Sequence, residues 1–203
     1  MSLALGNEDM TEKVPCTKCR TLILPSTALK NDGLCMPCKT GNRENIEKAK
    51  LYYAKERELN ITCPFRALWR ELVDKVHNKP IGFSGLTDEE KMYFAVGVLN
   101  GETYNGGIIQ FFDNSSGEYY QYAELGLVRL GANKSLFLLR EAKKELFGDA
   151  EVPKDQEKRW SVMRNANRDE ALDKLDTEYY KNMDNIEAKM ESFAIETGLA
   201  KNA

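Results

Sequence analysis

Four cysteines fall in two pairs, Cys16-Thr17-Lys18-Cys19 and Cys35-Met36-Pro37-Cys38, with fifteen residues between them. This is the C-x2-C-x15–20-C-x2-C spacing of a four-thiolate metal site. Each CxxC turn presents two sulfurs to one tetrahedral ion, at about 2.3 Å for zinc–sulfur bonds. The pattern therefore points to one Zn2+ held by Cys16, Cys19, Cys35 and Cys38. Four thiolates fill the tetrahedron and leave no position for water or substrate, so such a zinc is structural. The competing reading is two disulfides, which needs an oxidising compartment. The N-terminus lacks the basic stretch and apolar core of an export signal, so the expectation is a cytoplasmic chain with reduced thiols. Cys63 stands outside both pairs and reads as a small apolar residue.

Other chemistry is sparse. With His77 as the single histidine, no Ser-His-Asp or Cys-His arrangement can be assembled. Neither GxGxxG after a strand nor a GxxxxGKS/T loop is present to cradle phosphates. Among 32 carboxylates, Glu102 with Asp113 is the acid/base pair nearest the central motif, but pairs are abundant at that density. The expectation is a protein that is not an enzyme. The net charge of −3 favours no partner by itself. Residues 1–60 hold ten Lys/Arg against eight Asp/Glu, and residues 149–203 nine against thirteen, so the charge runs from slightly basic to acidic. Lys13, Lys18, Arg20, Lys30, Lys39 and Arg43 near the cysteines are offset by Glu8, Asp9, Glu12, Asp32, Glu44 and Glu47. No apolar run reaches the roughly 18 residues of a membrane span.

The elements that must position these residues are mostly helices. A chain of 203 residues, 42% hydrophobic and 30% charged, supports one globular core and a small appendage. Thr21 to Pro25 suits a short strand and Asn31-Asp32-Gly33 a hairpin-like turn. Knuckle, strand, knuckle and helix make residues 1–42 a zinc-ribbon or treble-clef-like module. Residues 43–60 read as a charged linker helix with Ile46, Ala49 and Tyr53 as a thin apolar stripe. Residues 61–203 read as a multi-helix domain, so the fold class is mainly α. In it Thr62 is the expected cap of a helix with Pro64 at its start, and Phe65, Leu68, Trp69, Leu72, Val73 and Val76 form one face. Thr87 to Glu90 is a capping box. Gly131 and Gly148 are helix stops. Leu172, Leu175 and Tyr179, then Ile186, Met190, Phe193 and Thr197, form two later stripes.

Between Glu102 and Gly117 lies the densest signal. Asn105-Gly106-Gly107 and Asn114-Ser115-Ser116-Gly117 are breakers, and Ile108, Phe111 and Phe112 fall on one helical face between them. Asn105 is the expected cap of that short helix. The stretch is either a packed corner between longer helices or a recognition surface made by its polar residues. Asn105, Gly106, Gly107, Gln110, Phe111, Phe112, Asn114, Ser116 and Gly117, followed by Leu130-Gly131-Ala132, resemble the NGGF-QFF-N-S-G…IGA pattern of the bacterial DNA-mimic-protein-like family, formerly a domain of unknown function. The resemblance runs from about Phe65 to the C-terminus, with Ile108 where the family usually carries an aromatic.

The resemblance implies a non-enzymatic protein-binding module, and in the name-giving member a DNA mimic that sequesters a DNA-binding regulator. Mimicry of that kind needs a strongly negative field, against which −3 is modest. Asp169, Glu170, Asp173, Asp176 and Glu178 recur three or four residues apart and are the expected partner contacts. The alternative is a zinc-ribbon nucleic-acid-binding protein whose helical domain serves as a dimerisation or partner platform. A homodimer is compatible with either.

Overall fold

The computed structural model describes residues 12–163 and 169–201. They form two compact units, one ending at Thr62 and one starting at Cys63. The architecture is mainly α, and the described residues hold one two-stranded sheet, in the first unit.

In the first unit, β1 (Val14–Pro15) pairs antiparallel with β2 (Leu22–Ile23), Val14 opposite Ile23. Three helices follow: α1 (Pro25–Lys30), α2 (Met36–Lys39) and α3 (Arg43–Thr62). The expected hairpin turn at Asn31-Asp32-Gly33 is instead a helix ending. Pro25 starts α1, where its missing N–H costs nothing. Asp32 and Gly33 then take positive φ of 53° and 79°, and the Gly33 N–H returns to the Ala28 carbonyl at 2.8 Å. The buried cluster consists of Cys16, Cys35 and Cys38, with Cys19, Ile23 and Leu34 packed on it. No residue of α3 is buried, and ion pairs one turn apart, Arg43–Glu47 and Glu44–Lys48, line it.

The second unit contains α4 (Pro64–His77), α5 (Asp88–Gly106), α6 (Ile108–Asp113), α7 (Tyr120–Arg129), α8 (Asn133–Phe147), α9 (Gln156–Met163), α10 (Asp169–Tyr179) and α11 (Ile186–Glu196). The expected cap at Thr62 does not form. Helix α3 runs through Thr62, whose hydroxyl donates to the Glu58 carbonyl at 3.0 Å, and Cys63 precedes α4 without a side-chain cap. The capping box at α5 does form: the Glu90 N–H donates to the Thr87 hydroxyl at 3.2 Å, and the Thr87 N–H to the Glu90 carboxylate at 2.9 Å. Tyr93, Phe94, Ala95, Val96 and Leu99 are buried around much of α5, and α4, α6, α7 and α11 pack against it. A Cβ on Gly126 of α7 would sit 2.6 Å from Val96 and 3.1 Å from the Met92 carbonyl, so this glycine sets the close approach of α7 to α5.

Ile108, Phe111 and Phe112 on α6 are wholly buried, joined by Leu127, Leu139 and Ala142 from the next two helices. The apolar side of the Glu102–Gly117 stretch is thus core. Among the described residues no helix is long and apolar enough to cross a membrane.

Candidate functional site

The sulfurs of Cys16, Cys19, Cys35 and Cys38 all lie within 4.8 Å of one another, and Cys19 and Cys35 are 3.6 Å apart. A tetrahedron with 2.3 Å arms needs sulfurs ~3.8 Å apart, so the four thiols are placed to hold one metal ion. All four are free thiols. The first knuckle closes through the Arg20 N–H to the Cys16 carbonyl at 2.9 Å, with Arg20 at φ 62°; the second closes through the Cys38 N–H to the Cys35 carbonyl at 3.0 Å. Donors also reach the sulfurs: the Cys35 N–H to Cys16 Sγ at 3.2 Å, and Arg43 Nη2 to Cys35 Sγ at 3.1 Å. Backbone N–H groups, chiefly that of Cys19, lower the Cys16 thiol to about 6. Burial pushes the Cys38 thiol up to about 12, and a cation held by the cluster would favour its thiolate.

The second candidate site is the corner around α6, and its geometry was only partly expected. Asn105 does not cap α6; it lies exposed in the last turn of α5, which runs on through Gly106. The cap comes from α10, where Asp176 Oδ1 accepts from the Ile108 N–H at 2.7 Å. Gly107 joins the two helices at φ 82°, and a Cβ there would sit 2.3 Å from Asp176 Oδ2. Both the backbone angle and the carboxylate require glycine at this position. Burial holds the Asp176 carboxyl above the usual carboxylate range, opposed by the Ile108 N–H.

The other end of α6 is held by Arg159, which sequence reasoning missed. It is fully buried, donating from Nε to the Phe112 carbonyl at 2.9 Å and from Nη2 to the Asn114 carbonyl at 2.7 Å. Its Nη1 reaches the Pro153 and Lys154 carbonyls at 2.8 and 2.7 Å. Trp160 Nε1 and Gln156 Nε2 both donate to the Asp113 carbonyl at 2.8 Å. A Cβ on Gly117 would lie 2.6 Å from Arg159 Nε, so the motif's last glycine makes room for the guanidinium. Two further distant caps follow the same rule. Asp184 accepts from the Ser135 N–H at 2.6 Å at the start of α8, and Lys189 donates to the Leu130 and Gly131 carbonyls, at 3.2 and 3.1 Å, at the end of α7. Carboxylates sit at helix starts and cations at helix ends, as the helix dipole favours. Their partners lie 45 to 68 residues away in sequence, where local spacing carries no signal.

The motif's polar side chains converge on Glu102, which accepts from Gln110 Nε2, from Asn114 Nδ2 at 2.9 Å and from the Ser116 hydroxyl at 3.4 Å. Asp113 is exposed and takes no part in this cluster. Glu102 lines an open cleft of about 400 Å³ together with Trp69, His77, Gly101, Asn105 and Tyr119.

The expected acidic row is broken up. Asp176 is spent on α6, and Glu178 pairs with Lys181 and, at 3.9 Å, with Lys134. Glu170 and Asp173 are exposed, Glu170 pairing with Lys174 at 2.8 Å. The side chain of Asp169 lies outside the described residues. Tyr104 and Tyr180, each about half exposed, lie with ring centroids 5.7 Å apart.

These features define a class: a helical domain built around a short, distantly capped corner, in a chain that also carries a cluster of four cysteines placed to hold a metal ion. Residues 84–197 match the family model described as DMP19-like protein, more than half of the chain. The chain belongs to the DMP19-like family, and the match starts later than the resemblance from Phe65. No curated protein and no solved structure matches the chain.

Asp176→Ala should cost about 1–3 kcal/mol by leaving the Ile108 N–H unpaired, while Asp176→Asn keeps an acceptor and should cost less. The folded pKa of Asp176 is raised, so the wild type gives up stability as pH rises through it. The asparagine variant has no such loss, and its deficit should shrink from acid to neutral pH. Urea unfolding of the three chains across that range checks both statements.

Proposed function

We propose that the chain is a non-enzymatic protein-binding module whose helical unit engages a DNA-binding regulator, with the cysteine module as a zinc-stabilised appendage in a cytoplasmic protein. Membership of the DMP19-like family carries this reading. Charge supports it: residues 63–203 hold nineteen Lys/Arg against twenty-four Asp/Glu. A negative surface attracts the basic face with which a regulator meets DNA. Exposed Glu170 and Asp173 are the contacts this reading favours, with Tyr180 close enough for the Asp173 charge to help raise its hydroxyl pKa, after burial and Asp176. Tyrosines of this kind serve as interface anchors.

Four thiolates with tetrahedral spacing favour zinc, in a structural role, since they leave no open coordination position. Metal analysis of protein purified under reducing conditions should find about one zinc per chain. Chelation should unfold the first unit and leave the helical signal of the second largely intact, because a module with few apolar residues draws its folding energy from the metal.

For the helical unit, the double reversal Glu170→Lys with Asp173→Lys should slow capture of the partner isolated from the native host several-fold and flatten its salt dependence. The unfolding midpoint should hardly move, because exposed charges contribute little to stability. Unchanged capture kinetics would remove this face from the interface.

One observation favours a second reading, nucleic-acid binding by the cysteine module. Lys13, Lys18, Arg20 and Lys30 are exposed and have no carboxylate partner among the described residues. That reading predicts binding to random-sequence DNA or RNA that weakens steeply with salt, and a flat titration excludes it.

A further inference from the structure

The cleft beside Glu102 is shaped by two glycines one helical turn apart on α5. A Cβ on Gly97 would sit 2.5 Å from the Trp69 ring, so this glycine lets the indole lie across the helix, stacked on Phe94 at 5.4 Å between centroids. A Cβ on Gly101 would meet nothing within 4 Å, so beyond Trp69 the helix surface is bare. Glu102 lines the same cleft as Trp69 and the two glycines. Its Oε2 accepts both amide donors, from Gln110 and Asn114, whereas Oε1 meets only the Ser116 hydroxyl at 3.4 Å. All three donors are neutral, and among the described residues no cation pairs with Glu102. A half-buried carboxylate held in one orientation, with one oxygen underused and an aromatic wall beside it, is electrostatically incomplete.

We propose that this cleft receives an arginine side chain from a protein partner, its guanidinium donating to Glu102 Oε1 and lying against the Trp69 indole. Charge selects a cation, because an anion is repelled and a neutral group leaves the carboxylate unpaired. Shape selects arginine over lysine: the guanidinium is flat, weakly hydrated and stacks on aromatic rings, whereas the ammonium is a compact, strongly hydrated point charge. A volume of about 400 Å³ accommodates one long side chain with part of its backbone. The inference rests on the protein-binding reading and deepens it, since proteins that bind DNA carry arginines on the face that meets phosphate.

The test uses the full chain, 15N-labelled, titrated with Nα-acetyl-arginine amide and with its neutral citrulline counterpart. The Trp69 indole N–H should shift saturably with a Kd in the millimolar range, roughly what a single exposed contact supplies. The Trp160 indole should stay in place, and citrulline should bind about tenfold more weakly or not at all. Glu102→Gln keeps an acceptor for Gln110 and Asn114 and should lose about tenfold in arginine affinity with an unchanged unfolding midpoint. Gly101→Leu should fill the bare strip and abolish binding without loss of stability, because nothing lies within 4 Å of the added carbon. Equal binding of citrulline, or indifference to both substitutions, overturns the site and leaves the protein-binding reading standing. If arginine amide binds but Gly101→Leu still captures the native partner unimpaired, the arginine does not come from that partner, and the proposal fails on its source.

Discussion

The second unit depends on keeping a six-residue helix folded inside its core. Helix α6 is short enough that nearly every backbone N–H and C=O it has belongs to a first or last turn, and those groups have no partner within the helix. Isolated helices of this length do not form in water. Burying Ile108, Phe111 and Phe112 is possible because Asp176 satisfies one end and Arg159, with Gln156 and Trp160, the other. Leaving such groups dry and unpaired costs about 1–3 kcal/mol each, a large share of a domain's net stability. The late helices α9 and α10 are therefore part of the corner's own hydrogen-bond structure.

This division of labour changes how the acidic C-terminal half reads. Asp176 and Asp184 cap helix starts and Glu178 is paired with lysines, so carboxylates that look interchangeable in sequence have different tasks. Glu170 and Asp173 remain exposed on α10, while Glu102 stands apart on α5 with three neutral donors around it. A count of charges cannot separate these roles, because desolvation and hydrogen bonding act on individual groups.

What the sequence made legible was local. The cysteine spacing, the Thr87–Glu90 capping box, the stops at Gly131 and Gly148 and the apolar face of α4 each depend on residues within a few positions of one another. Expectations failed where a local partner was preferred over an unseen distant one. Asn105 reads as a cap because it precedes two glycines, yet α5 continues past it and the carboxylate arrives from 68 residues away. Thr62 reads as a cap because proline follows, yet its hydroxyl is taken by the preceding helix. Arg159 could not be found at all: an arginine beside a tryptophan in a charged segment reads as solvated, and only the fold shows four carbonyls converging on it.

Two glycine–charge couples, Gly107 with Asp176 and Gly117 with Arg159, link stretches far apart in the chain. In each, the absence of a Cβ on one side is the space occupied by a charged group on the other. A larger residue at Gly117 crowds Arg159 and the Phe112 carbonyl, one at Gly107 also meets a φ of 82° that disfavours any side chain, and a shortened partner opposite either glycine leaves a void that glycine does not fill. Inheritance should therefore treat each couple as one character, and fragments recombined between divergent relatives should function only when both halves of a couple come from the same parent.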